Sequence, residues 1–307
     1  PVFNHIALLV LLGIASLMSI GSISVFNLAY NLQSVPLVII GASYSVAAFP
    51  TLARLYHDGN REKFFQHVTT AARHIIFWSF PAIALFAVLR AQIVRVILGT
   101  GEFSWTDTRL TAAALALFVV SLVAQALVLL FVRGYYAAGK TVKPVVINVF
   151  SSILIIVFAY VFTKLFETSQ MWQYFIESLL RVEGLEGTAV LMLPLAFSLA
   201  LLINAALFWI SFQHDFSRFS KALSKTFFQS LSAAVVMGFI AHQVLDMLDE
   251  VVDINTFIGI FTQGLVAGIV GIIAGVVTLS ILKSKELMEA WRALHRKFWK
   301  TDVISSE

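Results

Sequence analysis

Residues 21–55 read GSISVFNLAYNLQSVPLVIIGASYSVAAFPTLARL. The stretch opens on a polar patch (Ser22, Ser24, Asn27, Asn31, Gln33, Ser34), turns at Pro36 into an apolar run, and closes on Pro50 with a basic end at Arg54. Polar side chains set between two membrane-length apolar runs are costly in hydrocarbon unless they face protein or a water-filled cavity. The stretch therefore reads as the wall of a cavity, and the other segments as the bundle that encloses it.

Composition sets the class. Apolar residues make up 59% of the 307-residue chain and charged residues 12%, against roughly a quarter charged in soluble domains. With a mean hydropathy of +0.89, a soluble globular fold is excluded and an all-α, polytopic membrane protein follows. A net charge of +4 does not call for nucleic acid, because bilayer orientation already needs Lys and Arg on one side. The chain has no Cys, which removes disulfides, thiolate nucleophiles and Cys-based metal sites. It starts at Pro1 without the basic stretch and cleavage site of a signal peptide, and so reads as a piece of something longer.

A helix needs about 20 mostly apolar residues to cross the hydrocarbon. Eight segments meet that expectation: about 4–20, 35–55, 72–90, 110–133, 144–165, 187–210, 226–248 and 255–282. Pro81 and Pro194 predict kinks. With the first helix running inside to outside, sixteen of the 21 Lys and Arg fall on the inner side and five on the outer. That split places the C-terminal tail in the cytoplasm. Asp58–Gly59 predicts a turn and Asn60 an N-cap, while Ser104 to Asp107 has capping-box spacing. The segment 166–186 carries Trp172, Tyr174, Phe175, Leu179 and Leu180 among charges and reads as a short helix on the outer leaflet. In the tail 283–307, Leu287, Trp291, Leu294 and Phe298 form one helical stripe beside six basic residues. A helix lying on the anionic inner leaflet accounts for both better than a calmodulin-like partner does.

No charged residue stands near the middle of these eight segments, so no proton relay is legible. Gln125, Asn148, Asn204, Gln229 and His242 are expected to hydrogen-bond neighbouring helices. His242 and Asp246, four apart, share a face. Two ligands without a third make a weak metal site, so structural pairing is expected and no metal or cofactor is assigned. Gly264, Gly268, Gly271 and Gly275 form a small-residue stripe that suits close packing, the floor of a lipid groove, or both. There is no G-x-S-x-G, H-E-x-x-H or Walker loop, and no enzymatic activity is expected.

Three ordered motifs then carry a resemblance: PLVIIG with FPTLARLYHDGNREKF, LGTGEFSWTDTRLTAAALALF, and RGYYAAGKTVKPVVINV. Over roughly residues 10–160 the chain closely resembles the second half of the MurJ/MviN family, lipid II flippases of the MOP exporter superfamily. Family members have fourteen helices with both ends cytoplasmic, so eight helices ending inside would be the seventh to the fourteenth. The resemblance implies a V-shaped, two-lobed transporter in the bacterial inner membrane. It would carry undecaprenyl-diphosphate-linked disaccharide-pentapeptide (lipid II) between leaflets by alternating access, working with the N-terminal half that this sequence lacks. Ser24 matches a serine facing the family's central cavity, and Asn27 lies one helical turn on. Asn31, in Ala29–Tyr30–Asn31–Leu32, falls where the family usually carries a cavity arginine. Lys140 stands where many members carry an acid. The last two helices match the pair that forms the family's lipid-tail groove, in agreement with the glycine stripe. Alternative readings are a flippase for another polyprenyl-linked glycan, or a transport-inactive scaffold for envelope synthesis.

Overall fold

A backbone inside a bilayer must satisfy its own hydrogen bonds, and long apolar runs do so as helices. The computed structural model describes residues 2–99, 103–216, 221–253 and 256–299. Among them are thirteen α-helices and no strand. The first five are α1 (Val2–Ser16), α2 (Ser22–Pro36), α3 (Ser43–His57), α4 (Arg61–Val88) and α5 (Arg90–Leu98). Then come α6 (Trp105–Val119), α7 (Leu122–Ala137), α8 (Val142–Thr168), α9 (Gln170–Leu180) and α10 (Met192–Asp215). The last three are α11 (Lys221–Asp249), α12 (Phe257–Ile281) and α13 (Lys285–Trp299). Six helical stretches are long and apolar enough to cross a membrane, and a seventh if the bent pair α6–α7 counts as one span. The eighth expected span, 4–20, corresponds to α1, whose apolar part His5–Ser16 is shorter than a crossing requires.

The opening stretch departs from its reading. There is no turn at Pro36: residues 22–57 form one continuous 36-residue span, with a π-helical segment at Leu37–Ala42 joining α2 to α3. Proline removes one backbone donor, and a widened turn absorbs the loss. The hydroxyls of Ser43 and Ser45 donate to the carbonyls of Val38 and Gly41 at 3.2 and 2.6 Å. Gly41 is required by packing, since a Cβ there would lie 2.9 Å from the Ala126 Cα of α7. The polar patch is therefore part of the span.

Of the two prolines expected to kink their helices, Pro81 lies inside the continuous α4. Pro194 occupies the first turn of α10, where no backbone donor is needed. The 44° break lies between α6 and α7. There the Ser121 hydroxyl donates to the Phe118 carbonyl (2.9 Å) and the Ser198 hydroxyl to that of Leu117 (2.7 Å). The expected caps form. The Lys63 amide donates to Asn60 Oδ1 at 3.1 Å, Gly59 takes φ 73° in the preceding turn, and Ser104 and Asp107 exchange both bonds of the capping box.

Two aromatic-rich cores hold the bundle. One joins α1, α2, α6, α8 and α10 around Phe26, Phe118 and Phe197, with Tyr30 edge-on to Phe118 and Phe197. The other joins α3, α4, α7 and α10 around Phe64, Phe131, Tyr135, Phe208 and Phe212. The pair α11–α12 packs on the outside of the bundle against α4 and α5. Chain direction puts the C-termini of α3, α7, α10 and α12 at the end carrying α13, here the tail end. The starts of α2, α6 and α12, together with α9, mark the far end.

Candidate functional site: the uncovered face of α2

Helical periodicity splits the polar patch into two faces. Gln33 is fully buried, and its Oε1 accepts from Gln125 Nε2 of α7 at 3.2 Å. Gln125 Nε2 also donates to Ser121 Oγ (3.0 Å), itself 3.2 Å from Ser198 Oγ of α10. Ser22 is buried beside Ser19, 3.1 Å away. This face is glue between helices. Ser24, Asn27 and Asn31 lie three and four residues apart on another face. Ser24 and Asn31 are exposed and Asn27 half-buried. None of these three side chains makes a described hydrogen bond; the Ser34 hydroxyl donates to the Asn31 backbone carbonyl at 2.7 Å.

A cavity of about 430 Å³ is lined by Tyr30 of α2 together with His5, Gln125, Arg133, Tyr136 and Asn148, and Ser24, Asn27 and Asn31 are not among its lining residues. Arg133 is half-buried, and no described carboxylate pairs with it. Only its position near a helix end was legible beforehand; its place on a cavity wall comes from α7 packing between α3 and α10. Asn148 Oδ1 accepts from Asn204 Nδ2 at 3.4 Å, the interhelical bond expected of such a pair. Lys140 lies 3.9 Å from Asp215, whose carboxylate also accepts from Lys143 Nζ at 2.6 Å.

Arg73, expected on the inner side, lies within α4, which starts at Arg61, and meets the tail helix. Its charge is matched: Arg73 Nε donates to Glu286 Oε1 of α13 at 2.8 Å. Glu286 is 2% exposed and also accepts from Thr226 (2.6 Å) and Ser284 (2.9 Å). Burial alone would raise the Glu286 carboxyl, but bonds from Thr226, its own backbone, Arg73 and Ser284 outweigh it and hold it below the ordinary range. The tail helix is thus bolted to α4 and α11. Leu287 packs against Phe77, Ala233 and Leu279, and Trp291 is 67% exposed. The side chains of Leu294 and Phe298, the rest of the expected stripe, lie outside the described residues.

The glycine stripe packs closely. A Cβ on Gly264 or Gly268 would meet Gln92 or Leu89 at 3.0 or 3.3 Å, and one on Gly271 the Ala241 Cβ at 3.0 Å. A Cβ on Gly275 would clash with the Met237 side chain. Gly264 also borders an apolar groove of about 210 Å³ between α5 and α12. Gln229 donates to the Leu282 carbonyl at 2.6 Å. His242 Nδ1 lies 3.5 Å from Asp246, and no described group of three or more His, Asp or Glu is placed to hold a metal.

Several helices long and apolar enough to cross a bilayer define a multi-pass helical membrane protein. Comparison with known proteins gives the family. The model of the lipid II flippase MurJ family matches residues 2–263, well past the three motifs. Curated relatives described as probable lipid II flippase MurJ include those of Bdellovibrio bacteriovorus (32% identical over 143 residues) and Rickettsia prowazekii (31% over 134 residues). These alignments cover 47% and 44% of this chain but 27% and 26% of the relatives. A solved structure titled lipid II flippase MurJ, inward closed conformation, superposes with TM-score 0.68 and 21% identity, over 96% of this chain and 52% of that one. The chain belongs to the MurJ lipid II flippase family, and it spans about half of the matched structure.

Proposed function

We propose that this chain is the C-terminal lobe of a flippase for lipid II, moving the headgroup from the inner to the outer leaflet by alternating access with an N-terminal lobe. It performs no covalent chemistry. A diphosphate headgroup cannot enter hydrocarbon uncompensated, so a wet chamber between two lobes lowers the barrier while the polyprenyl tail stays in lipid. The supporting observation is the division of α2: equivalent polar side chains are glued on one face and left unpartnered on the other at Ser24, Asn27 and Asn31. Arg133, in the cavity that Tyr30 of α2 also lines, supplies a cation that Asn31 does not, and guanidinium suits a diphosphate. The flank of α12 near Gly264, Gly268, Gly271 and Gly275 would guide the tail. The tail end, rich in Lys and Arg, faces the cytoplasm.

Because the chain has no cysteine, single cysteines in an otherwise cysteine-free full-length protein test the chamber directly. Cysteines at Ser24, Asn27 and Asn31 should react with a membrane-impermeant thiol reagent, and one at the exposed apolar Val146 should not. Protection of all three sinks the chamber. Growth rescue by the full-length protein after depletion of a resident flippase separates transport from scaffolding.

A further inference from the structure

At the far end lies a second cavity, of about 460 Å³, whose two walls carry opposite charge. One wall presents Arg90, Arg109 and Arg181. Arg90 and Arg109 each spend one donor on the C-terminal carbonyls of α9: Arg90 on Leu180 at 3.4 Å, Arg109 on Arg181 at 2.6 Å. A guanidinium has five donors, and no described carboxylate pairs with any of the three. Burial, and then the nearby Arg181 charge, lower the proton affinity of Arg90. Three like charges gathered at a half-dry wall call for an anion.

The other wall presents Asp246 and Asp249 of α11 and Gln263 of α12. Gln263 Nε2 donates to the Leu245 carbonyl at 3.2 Å and to Asp249. With its nitrogen so engaged, Gln263 Oε1 must be the atom that accepts from Gln92 Nε2 at 3.1 Å. Gln92 Oε1 is then a buried acceptor with no partner, on a residue that lines the same cavity. Such an atom calls for an N–H or O–H donor. Gln92 also borders the apolar groove between α5 and α12, with Ile93, Ile97, Phe261 and Leu265. An anion wall, a donor-seeking wall and an apolar channel therefore meet at one residue.

We propose that this cavity binds an aminophospholipid of the adjacent leaflet, with its phosphate on Arg90, Arg109 and Arg181, its primary ammonium between Gln92 Oε1 and the Asp246 and Asp249 carboxylates, and an acyl chain along the α5–α12 groove. A trimethylammonium headgroup has the charge but no N–H for Gln92. A glycerol headgroup gives the carboxylates no cation. The site therefore separates phosphatidylethanolamine from both phosphatidylcholine and phosphatidylglycerol. It is read out by binding, so it stands or falls independently of transport.

The test uses purified full-length protein in nanodiscs of phosphatidylcholine, with phosphatidylethanolamine or phosphatidylglycerol of the same acyl chains added, and lipid retention and thermal midpoint as readouts. Phosphatidylethanolamine should be retained about tenfold better than phosphatidylcholine, the scale of one charge-assisted hydrogen bond. The Arg90→Gln/Arg109→Gln double variant should lose retention of all added lipid. Asp246→Asn/Asp249→Asn should keep phosphate binding but lose the preference for ethanolamine. Water-soluble phosphoethanolamine should bind more weakly than the lipid, because it leaves the groove empty. Equal retention of all three lipids by the unmodified protein overturns the proposal, whatever the variants do. A preference for phosphatidylglycerol overturns it too, as does equal binding of free phosphoethanolamine and lipid.

Discussion

The two charged clusters of this protein differ in whether folding completes them. At the tail end Arg73 meets Glu286, and Thr226 and Ser284 take up the remaining carboxylate lone pairs. At the far end Arg90, Arg109 and Arg181 share a cavity with Asp246 and Asp249 without an ion pair across it. A related contrast recurs within α2, between buried Gln33, held through Oε1 by Gln125 with its Nε2 left unpartnered, and exposed Asn31, whose side chain makes no described hydrogen bond. Matched polar groups are structure, because buried charge is tolerated when paired and hydrogen-bonded. Unmatched ones are where a partner from outside the chain can contribute.

The largest effect is expected from breaking the matched cluster. Glu286→Ala leaves Arg73 uncompensated, and losses on removing one partner of a buried pair run to about 3–5 kcal/mol. A lower thermal midpoint and protease access to α13 would report it. Acid should do the same without mutation. The folded carboxyl lies below its ordinary value, which is about 4.3. Docking is therefore fully stabilised above that value and is lost as pH falls through the lower folded one. Trp291 fluorescence on α13 follows the release; a signal flat down to pH 2 would contradict the pairing.

A smaller effect sharpens the contrast within α2. Gln125→Leu strands Gln33, which costs about 1–3 kcal/mol. The double variant Gln33→Leu/Gln125→Leu removes both partners and should recover most of that loss. If the two losses simply add, the side chains are not coupled as described.

The smallest stability effects belong to the unmatched face. Ser24→Ala and Asn31→Ala should each shift stability by less than about 0.5 kcal/mol while lowering growth rescue. Asn31→Arg should keep or raise rescue, since a guanidinium there would face an anion. A folded Asn31→Arg protein that is inactive would argue against a headgroup beside α2.

Much of the fold was legible because the bilayer restricts the choices. The caps at Asn60 and Ser104 follow from local spacing, and helix order follows from apolar run length. The 36-residue span did not, because Pro36 ordinarily ends a helix and only the π turn around Leu37–Ala42 lets it pass. The pairing of Arg73 with Glu286, 213 residues away, was not legible, because no local pattern reports so distant a contact.

From the residue order alone came the membrane class, the far-end capping, the polar patch and the motifs of the family. These depend on periods of a few residues and on the cost of polar groups in lipid. Which polar groups are satisfied was decided only in three dimensions. A hydrogen bond needs two atoms within about 3 Å, and the folded bundle alone determines that Gln33 finds Gln125 while the Asn31 side chain makes no described hydrogen bond and the Arg90 wall meets no described carboxylate.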